Sequence, residues 1–522
     1  MRVITRMSAA ILGLMLVGMC PSLALADLSL VSAAMAISVD EETGDIRKLD
    51  VKTGRNSSAD MTTVLENSNL LSLGERRPLT INSQKIVTDQ DNRDAIVTLY
   101  DFGENLTLRR ELSFGSTPYS ISAIFELQNL SGEALDIAAL KFTHLSFAAG
   151  FKGISDHHGG YGSSIYSYRE PFISQAGDFN RLDLENIEQH AEETSLDWFG
   201  WVNRYFVVAI RSLDQSDMMQ LRTTIVQSRD NRDGEVLTPE NLSLFVDASQ
   251  IVQPEESLKL GFEIISAPKD RQLLSSTDPS LDGVVLMNLW SWFRWICIAA
   301  SILLDFLFQL SGNWVLTITL VALVVRLFTI PITRSSLQYQ RRAAIQQQRL
   351  KSLMRPLQEK YKGIELSRQI VDLHEKENID QLLPFKGMLG LFVQIPIFIA
   401  LFNVLAEFPA LSGISFLWIN DLALSDRLFP LGVDLPFLGG YFNLLPFIMA
   451  LVTVLSTYYA RASNSDDQAQ HGALFGMAAV FFVLFYSFPA ALVLYWTFSN
   501  AFQLIQQVLT NHLTAMGGKS AP

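Results

Sequence analysis

Cysteine is nearly missing from these 522 residues: Cys20 and Cys297 are the only two. One lies in an N-terminal apolar leader and the other beside a later apolar run, so neither a disulfide framework nor a cysteine metal site can be built from them. Catalytic signatures are equally scarce. The run Asp156-His157-His158-Gly159-Gly160 offers imidazoles but no HExxH pattern and no third ligand at a recognisable spacing, so it reads as a loop. Gly518-Lys519-Ser520 has the look of the end of a phosphate loop, yet Leu513 stands where the first glycine belongs and no strand precedes it. No metal, nucleotide or other cofactor is expected, and ATP-driven transport has no support. Carboxylates are also missing from the interiors of the long apolar runs assigned below to membrane spans, which argues against proton-coupled transport.

Charge is unevenly spread. The formal net charge is −13, but Asp27 to Gly283 holds 22 basic and 40 acidic residues, against 16 and 13 from Val284 to Pro522. An acidic exported half is thus joined to a mildly basic, apolar half, and direct DNA binding is not expected. With a mean hydropathy of +0.22, a chain of this length is too apolar overall for a purely soluble protein and must contain a membrane part.

Residues 1–26 have Arg2 and Arg6, an apolar stretch from Ala9, Pro21, and Ala24-Leu25-Ala26 before Asp27. That pattern fits a signal peptide, or else a first membrane anchor, and either one exports the chain from Asp27 onward. From 27 to 267 the pattern is alternation: Ile121, Ala123, Phe125 and Leu127 share one face, as do Leu258, Leu260, Phe262 and Ile264. Further strands are expected at Ala95 to Tyr100, Leu106 to Phe114, Tyr205 to Ile210 and Leu242 to Val246. Many strands without intervening helices imply one all-β antiparallel sandwich. Residues 268–283, with Pro268, Pro279 and several charges, read as a linker.

An α-helical membrane bundle is expected next. Within 284–311, three tryptophans and the charged Arg294 and Asp305 suit a helix lying at the interface. Five core spans are expected at about 313–333, 386–406, 442–460, 472–488 and 490–510, within a membrane domain of 312–512 and before a short tail, 513–522. At about 20 residues per crossing each run is near the required length. Eleven basic residues fall between Arg334 and Lys386, whereas Glu407 to Tyr441 holds only Arg427. The positive-inside rule therefore makes 334–385 a cytoplasmic helical hairpin and the C-terminus cytoplasmic. Arg341, Arg342, Arg349, Lys351 and Arg355 in that hairpin read either as a solvated face or as a surface for anionic headgroups or a partner.

Arg326 is the most informative residue. It sits in the apolar run Trp314 to Thr333, where a guanidinium costs roughly 2.5–3.5 kcal/mol on insertion scales. At 1.5 Å per residue it lies roughly 12 Å inside the cytoplasmic end marked by Arg334, more than snorkelling alone covers. A partly snorkelled structural arginine and a water-filled cavity open to the cytoplasm are the two readings. Trp496, Ser499, Asn500, Gln503 and Gln507 recur at steps of three or four and share a face of the last span. Thr453, Ser456 and Thr457 form a second polar face, and Gln394 beside Pro396 a third polar point. Such side chains commonly act as glue between spans. Together with Arg326 they also describe a polar, positively charged groove.

The segments GNWVLTITLVALVVRLFTIPITRSSLQYQ from Gly312, FVQIPIFIALFNVL from Phe392, FLWINDL from Phe416 and FPAALVLYWTFSNAFQLIQQ from Phe488 carry a family resemblance. In this order they resemble the YidC-type membrane protein insertases, in the bacterial inner-membrane form with a large periplasmic domain. GWVNRYFVVAI from Gly200 and the Ala267-Pro268-Lys269 region look like landmarks of that domain. The resemblance implies an insertase and chaperone for nascent membrane proteins, with no chemical reaction. It also implies lipid and Sec translocon contacts, and Arg326 as the groove arginine. Three features depart from the family pattern: a short C-terminal tail, Ile379-Asp380-Gln381-Leu382-Leu383-Pro384 in place of Asn-Pro-Leu-Gly, and a leader that looks cleavable. Ribosome or targeting-receptor contact would then rest on the basic hairpin. The rival readings are a membrane-anchored periplasmic carbohydrate-binding domain or enzyme, with His157 and His158 as its site, and a channel or transporter.

Overall fold

The computed structural model describes residues 28–52, 61–68, 80–88, 93–101, 105–136, 144–148, 169–181, 197–213, 241–245, 251–287, 289–376, 382–461, 476 and 479–517. The leader, the His157-His158 run, the Gly518-Lys519-Ser520 tail and residues 472–475, 477 and 478 of the span expected at 472–488 lie outside these residues. The described residues divide into two compact units, those up to Met287 and those from 289 onward.

The first unit is all-β in its sheets. Four strands, β1 (Leu28–Val31), β2 (Met35–Val39), β3 (Ile46–Lys52) and β4 (Met61–Ser68), pair in sequence order. A nine-stranded sheet takes β5 (Thr80–Thr88), β6 (Asp94–Asp101), β7 (Leu106–Phe114), β8 (Ser120–Asn129), β11 (Arg169–Gln175), β12 (Asp178–Arg181), β13 (Trp198–Asn203), β14 (Phe206–Ser212) and β17 (Ser257–Pro268). Its order is β12-β11-β13-β14-β17-β8-β7-β6-β5. Short pairs are made by β9 (Leu135–Asp136) with β16 (Ile251–Val252) and by β10 (His144–Ala148) with β15 (Asn241–Phe245). Every named pairing is antiparallel, and the two large sheets pack through β1 on β6 and β3 on β17.

The alternation in sequence becomes the sandwich core. Ile121, Ala123 and Phe125 of β8 are buried opposite Ile264, Phe262 and Leu260 of β17, with Phe125 and Phe262 edge to face at 6.1 Å. Each fully buried side chain of this size contributes roughly 1.5–3 kcal/mol. The expected linker, 268–283, is a correction. Strand β17 runs through Pro268, Asp270 caps helix α1 (Arg271–Thr277), and a 3-10 helix comes next at Pro279–Leu286. Arg271 grips Asp282 through two bonds of 2.8 Å, Arg211 reaches Asp278, and the Trp198 indole donates to Ser280 at 2.7 Å. Those ties fold the segment onto the sheet. Its proline and charge content misled because the charges are paired.

The second unit is helical: α2 (Ser291–Ser311), α3 (Trp314–Lys360), α4 (Gly363–Lys376), α5 (Leu383–Gly387), α6 (Leu389–Ala406), α7 (Leu445–Arg461) and α8 (Ala490–Gly517), with residues 479–485 also helical. Gly312, with φ 61°, ends α2, and the Asn313 side chain caps α3 by accepting from Leu316 N at 3.1 Å. Helix α3 does not stop where the apolar run ends at Thr333. Its 47 residues make one rod of about 70 Å that carries both the apolar run and the first arm of the hairpin. Gly363, with φ 64°, then opens the second arm, α4. Ser336 and Gln340 of α3 both donate to the Gly387 carbonyl, the latter at 2.7 Å, which pins α5 beside the rod.

By length and composition three described helices can cross a membrane: Ser291–Ser311, Trp314–Lys360 and Phe385–Ala406; Leu445–Ser456 is a shorter apolar helix. Helix α8 packs against α7, α3 and α6, and its first residues, Ala490 to Tyr495, are all buried.

Candidate membrane-embedded polar site

Helix α8 is the scaffold of the site. It runs in the same direction as α3, and counting from Ala490 and Trp314 puts Gln503 about 20 Å and Arg326 about 18 Å along their helices. The two side chains therefore meet at one level. Arg326 is half-buried; its Nε donates to Gln506 Oε1 at 3.0 Å and its Nη1 to Gln503 Oε1 at 3.3 Å. Gln503 and Gln506, three residues apart, form one acceptor face.

These contacts resolve how the arginine is held. No carboxylate pairs with it among the described residues. The acceptors are neutral amides. A hydrogen bond to a charged group contributes roughly 1.5–3 kcal/mol, so two of them are comparable with the roughly 2.5–3.5 kcal/mol insertion cost. The guanidinium is stabilised without losing its net charge. It has five N–H donors, of which these bonds use two, and none of its nitrogens is both buried and unpaired among the described residues.

One turn earlier, Asn500 Nδ2 donates to Thr453 Oγ1 of α7 at 2.8 Å, while that hydroxyl donates to the Met449 carbonyl at 2.8 Å. Further along, Ser456 Oγ donates to Gln507 Oε1 at 3.4 Å. The polar stripe of α8 is thus shared between two neighbours, with Asn500 and Gln507 turned to α7 and Gln503 and Gln506 to α3. Trp496 begins the stripe inside an aromatic cluster: Phe398 at 4.9 Å, Phe481 at 5.4 Å and Phe485 stacked at 5.5 Å between ring centres. Gln394 sits one turn before Phe398 on α6, half-buried. Neither Gln394 nor Ser499 makes a side-chain hydrogen bond among the described residues. The Thr457 side chain lies outside the described residues.

Gln506 is the residue that reading the sequence missed. It lies three residues after Gln503 and seven after Ser499, so helical spacing could have placed it on a shared face with them. The basic residues of the hairpin lie on the distal part of α3. Arg342 and Arg349 share one side, Lys351 and Arg355 the opposite one, and Arg349, Lys351 and Arg355 are exposed. The Arg341 side chain lies outside the described residues. Among the described residues no three His, Cys, Asp or Glu side chains gather into a metal site.

Comparison with known proteins places the chain. The family described as "60Kd inner membrane protein" matches residues 306–517, and that described as "YidC periplasmic domain" matches residues 34–299. A membrane protein insertase YidC of Francisella tularensis subsp. mediasiatica is 26% identical over 505 residues, covering 94% of this chain and 82% of the relative. That of subsp. novicida gives the same identity and coverage. Among solved structures, an active YidC insertase with its first transmembrane domain resolved is 16% identical, covering 97% of this chain and 98% of that one, with a TM-score of 0.35. YidC from Thermotoga maritima is 14% identical, covering 92% and 96%, with a TM-score of 0.32. With one family model on its β-domain and the other on its helical half, this chain belongs to the YidC family of membrane protein insertases, inner-membrane proteins with a periplasmic domain.

Proposed function

We propose that this insertase works through a hydrated, positively charged groove, lined by Arg326, Gln394, Thr453, Ser456, Thr457, Trp496, Ser499, Asn500 and Gln503, which also gives it a chaperone role for nascent membrane proteins. Helices α3, α6 and α7, the 472–488 segment and α8 are its five spans. Helix α2 lies in the interface, where Trp290, 76% exposed, and Trp295, 73% exposed, sit at headgroup level. The hairpin and the C-terminus are cytoplasmic.

The observation that carries this reading is the pairing of Arg326 with two neutral amides rather than a carboxylate. A fixed counter-ion would cancel the field that an acidic exported segment of a client must feel. Amide acceptors leave it in place. The polar segment of a client hairpin then exchanges hydrogen bonds with Gln503, Asn500 and Ser499 instead of entering lipid bare, which lowers the desolvation barrier to crossing. Release into lipid is driven by the client's own apolar surface. The insertase acts alone or beside the Sec translocon, and Arg341, Arg342, Arg349, Lys351 and Arg355 receive a ribosome or targeting receptor.

Photo-crosslinking groups at 326, 496 and 500, and at the exposed Leu451 of α7 as a control, test the groove against ribosome-bound short membrane proteins. Clients captured at 496 and 500 and much less at 451 are expected. Equal capture at 451 overturns the groove.

A further inference from the structure

Two turns between α6 and α7 hold large apolar side chains at their tips in a backbone conformation that such residues avoid. Leu417, with φ 53°, lies in the tight turn closed by the paired Phe416 and Ile419, and is 75% exposed. Phe437, with φ 65°, lies in the turn joining β18 (Phe429–Leu435) to β19 (Gly439–Phe442), and is 69% exposed. The left-handed region is ordinarily filled by glycine, asparagine or aspartate, and turn tips are ordinarily polar. The other non-glycine residues with positive φ among those described, Asn105, Ala176, Glu255 and Arg427, are none of them large and apolar. Both tips combine backbone strain with apolar exposure, which is unfavourable in water and becomes favourable when an apolar medium covers them.

The surroundings identify that medium. Phe429 stacks on Phe442 at 4.9 Å and Phe442 on Phe447 at 5.3 Å, and Phe447 is an exposed residue of α7. An unbroken aromatic surface therefore leads from a membrane helix onto the hairpin. The hairpin also exposes Val433 and Leu435, and between Phe429 and Phe442 its one charged residue is Asp434. Continuity with a lipid-facing helix, aromatic content and near absence of charge fit the headgroup and acyl boundary.

We propose that Leu417 and Phe437 are membrane anchors that insert into the leaflet on the side opposite the basic hairpin, holding the 407–443 loop flat on the bilayer. This inference rests on α6 and α7 being spans. Its consequence reaches the polar site, because the loop is fastened to the start of α8: Leu424 and Leu422 carbonyls accept from Ala490 N at 2.7 Å and Ala491 N at 2.9 Å. Those are orphan donors of a helix N-terminus. Anchoring the loop therefore fixes the depth at which Asn500 and Gln503 sit.

The full chain carrying Cys20→Ser and Cys297→Ser, with single substitutions Leu417→Cys, Phe437→Cys or Leu435→Cys, is labelled with an environment-sensitive fluorophore. It is reconstituted in phosphatidylethanolamine and phosphatidylglycerol vesicles. Leu451→Cys serves as the lipid-facing reference and the exposed hairpin residue Glu365→Cys as the aqueous one; Leu435→Cys reads the hairpin with both tips intact. Labels at 417, 435 and 437 are expected to be quenched by nitroxide on acyl carbon 5 at least half as strongly as at 451. Iodide should quench them at least threefold less than at 365. Iodide quenching equal to that at 365, with 451 still dry, overturns the anchors and leaves the spans standing. Protection from both quenchers means a protein cover and also overturns them. A 451 label open to iodide removes the span assignment itself.

Discussion

Arg326 and Gln506 face each other across α3 and α8, the guanidinium Nε donating to the amide oxygen at 3.0 Å, with Gln503 accepting from Nη1 beside it. The charge is held by dipoles rather than by a counter-ion. Arg326→Lys should therefore keep most insertion activity, since the charge remains, but lose one of two bonds and about 1 kcal/mol of stability. Arg326→Ala should lose at least about tenfold in insertion of clients with acidic exported tails, the equivalent of about 1.4 kcal/mol, and less for neutral ones. Insertion assays with paired clients, alongside thermal unfolding in detergent, separate the two effects. An Arg326→Ala protein that inserts acidic clients normally but melts earlier has lost only a structural residue.

Asn500 and Thr453 provide the complementary case, a polar pair that is satisfied within the chain at 2.8 Å. A double-mutant cycle with Asn500→Leu and Thr453→Val should return a coupling of about 0.6 kcal/mol and no more than about 1.7, the range of interhelical bonds in membranes. Client insertion should fall in Asn500→Leu by more than in Thr453→Val at equal stability. Equal losses would mean that Asn500 serves only as glue.

How much of this was visible beforehand depended on whether a residue's surroundings impose a period. The faces of β8 and β17 were legible because one side of each strand is core. The far end of β17 was not, because Ile264, Ile265, Ser266 and Ala267 are all buried and alternation disappears. Sequence alone ends the apolar part of α3 at Thr333 because polarity changes there, yet the Gln, Arg, Ala and Leu beyond it are good helix formers and continue the rod. Trp496, Asn500 and Gln503 were found by spacing. Gln506 was passed over because the stripe was continued from Gln503 to Gln507, a step of four, rather than to Gln506, a step of three.

The GWVNRYF segment shows a packing constraint that only the structure explains. A Cβ on Gly200 would stand 2.0 Å from the Val208 carbonyl oxygen, a backbone atom that cannot move aside. Asn203 then turns the chain by accepting from Tyr205 N at 2.9 Å and Phe206 N at 2.7 Å. Gly200→Ala should destabilise the periplasmic domain by about 3 kcal/mol or more, at the upper end of overpacking costs. Chemical unfolding followed by tryptophan fluorescence measures it, and a change under about 1 kcal/mol would contradict the assigned pairing of β13 with β14.

Asp426 outside the spans gives a pH prediction. Its carboxylate accepts from Leu445 N at the start of α7 and from the Trp418 indole at 3.2 Å, but burial outweighs these bonds and raises its pKa above the usual 3.8. The folded state therefore holds this proton more tightly than the unfolded one. The stability it adds is fully present below the ordinary carboxyl pKa and is lost as pH rises through the raised value. Asp426→Asn, which keeps an acceptor without the charge, should flatten that slope in a series of melting temperatures. Asp426→Ala should flatten the slope as well and lie about 1 kcal/mol below Asp426→Asn at every pH through the lost acceptor at the start of α7. A wild-type slope of the opposite sign would refute the burial argument.

The last prediction concerns water. Arg326 retains donors beyond its two amide bonds, and solvent reaching that depth from one side would satisfy them. Counting along α8, position 503 lies about 20 Å from Ala490 and so nearer the cytoplasmic surface than the exported one. A single cysteine at 500 or 503, in a background carrying Cys20→Ser and Cys297→Ser, should react with a membrane-impermeant thiol reagent added from the cytoplasmic side of vesicles. Position 503 should react faster than 500, because it is a turn closer to that surface, and Leu451→Cys on the outer face of α7 should stay unreactive. Arg326→Ala should slow both reactions if the charge is what draws water in. If neither cysteine is labelled while a cytoplasmic hairpin cysteine is, the site is dry. The two amide bonds then account for Arg326 by themselves, and the groove loses its solvent.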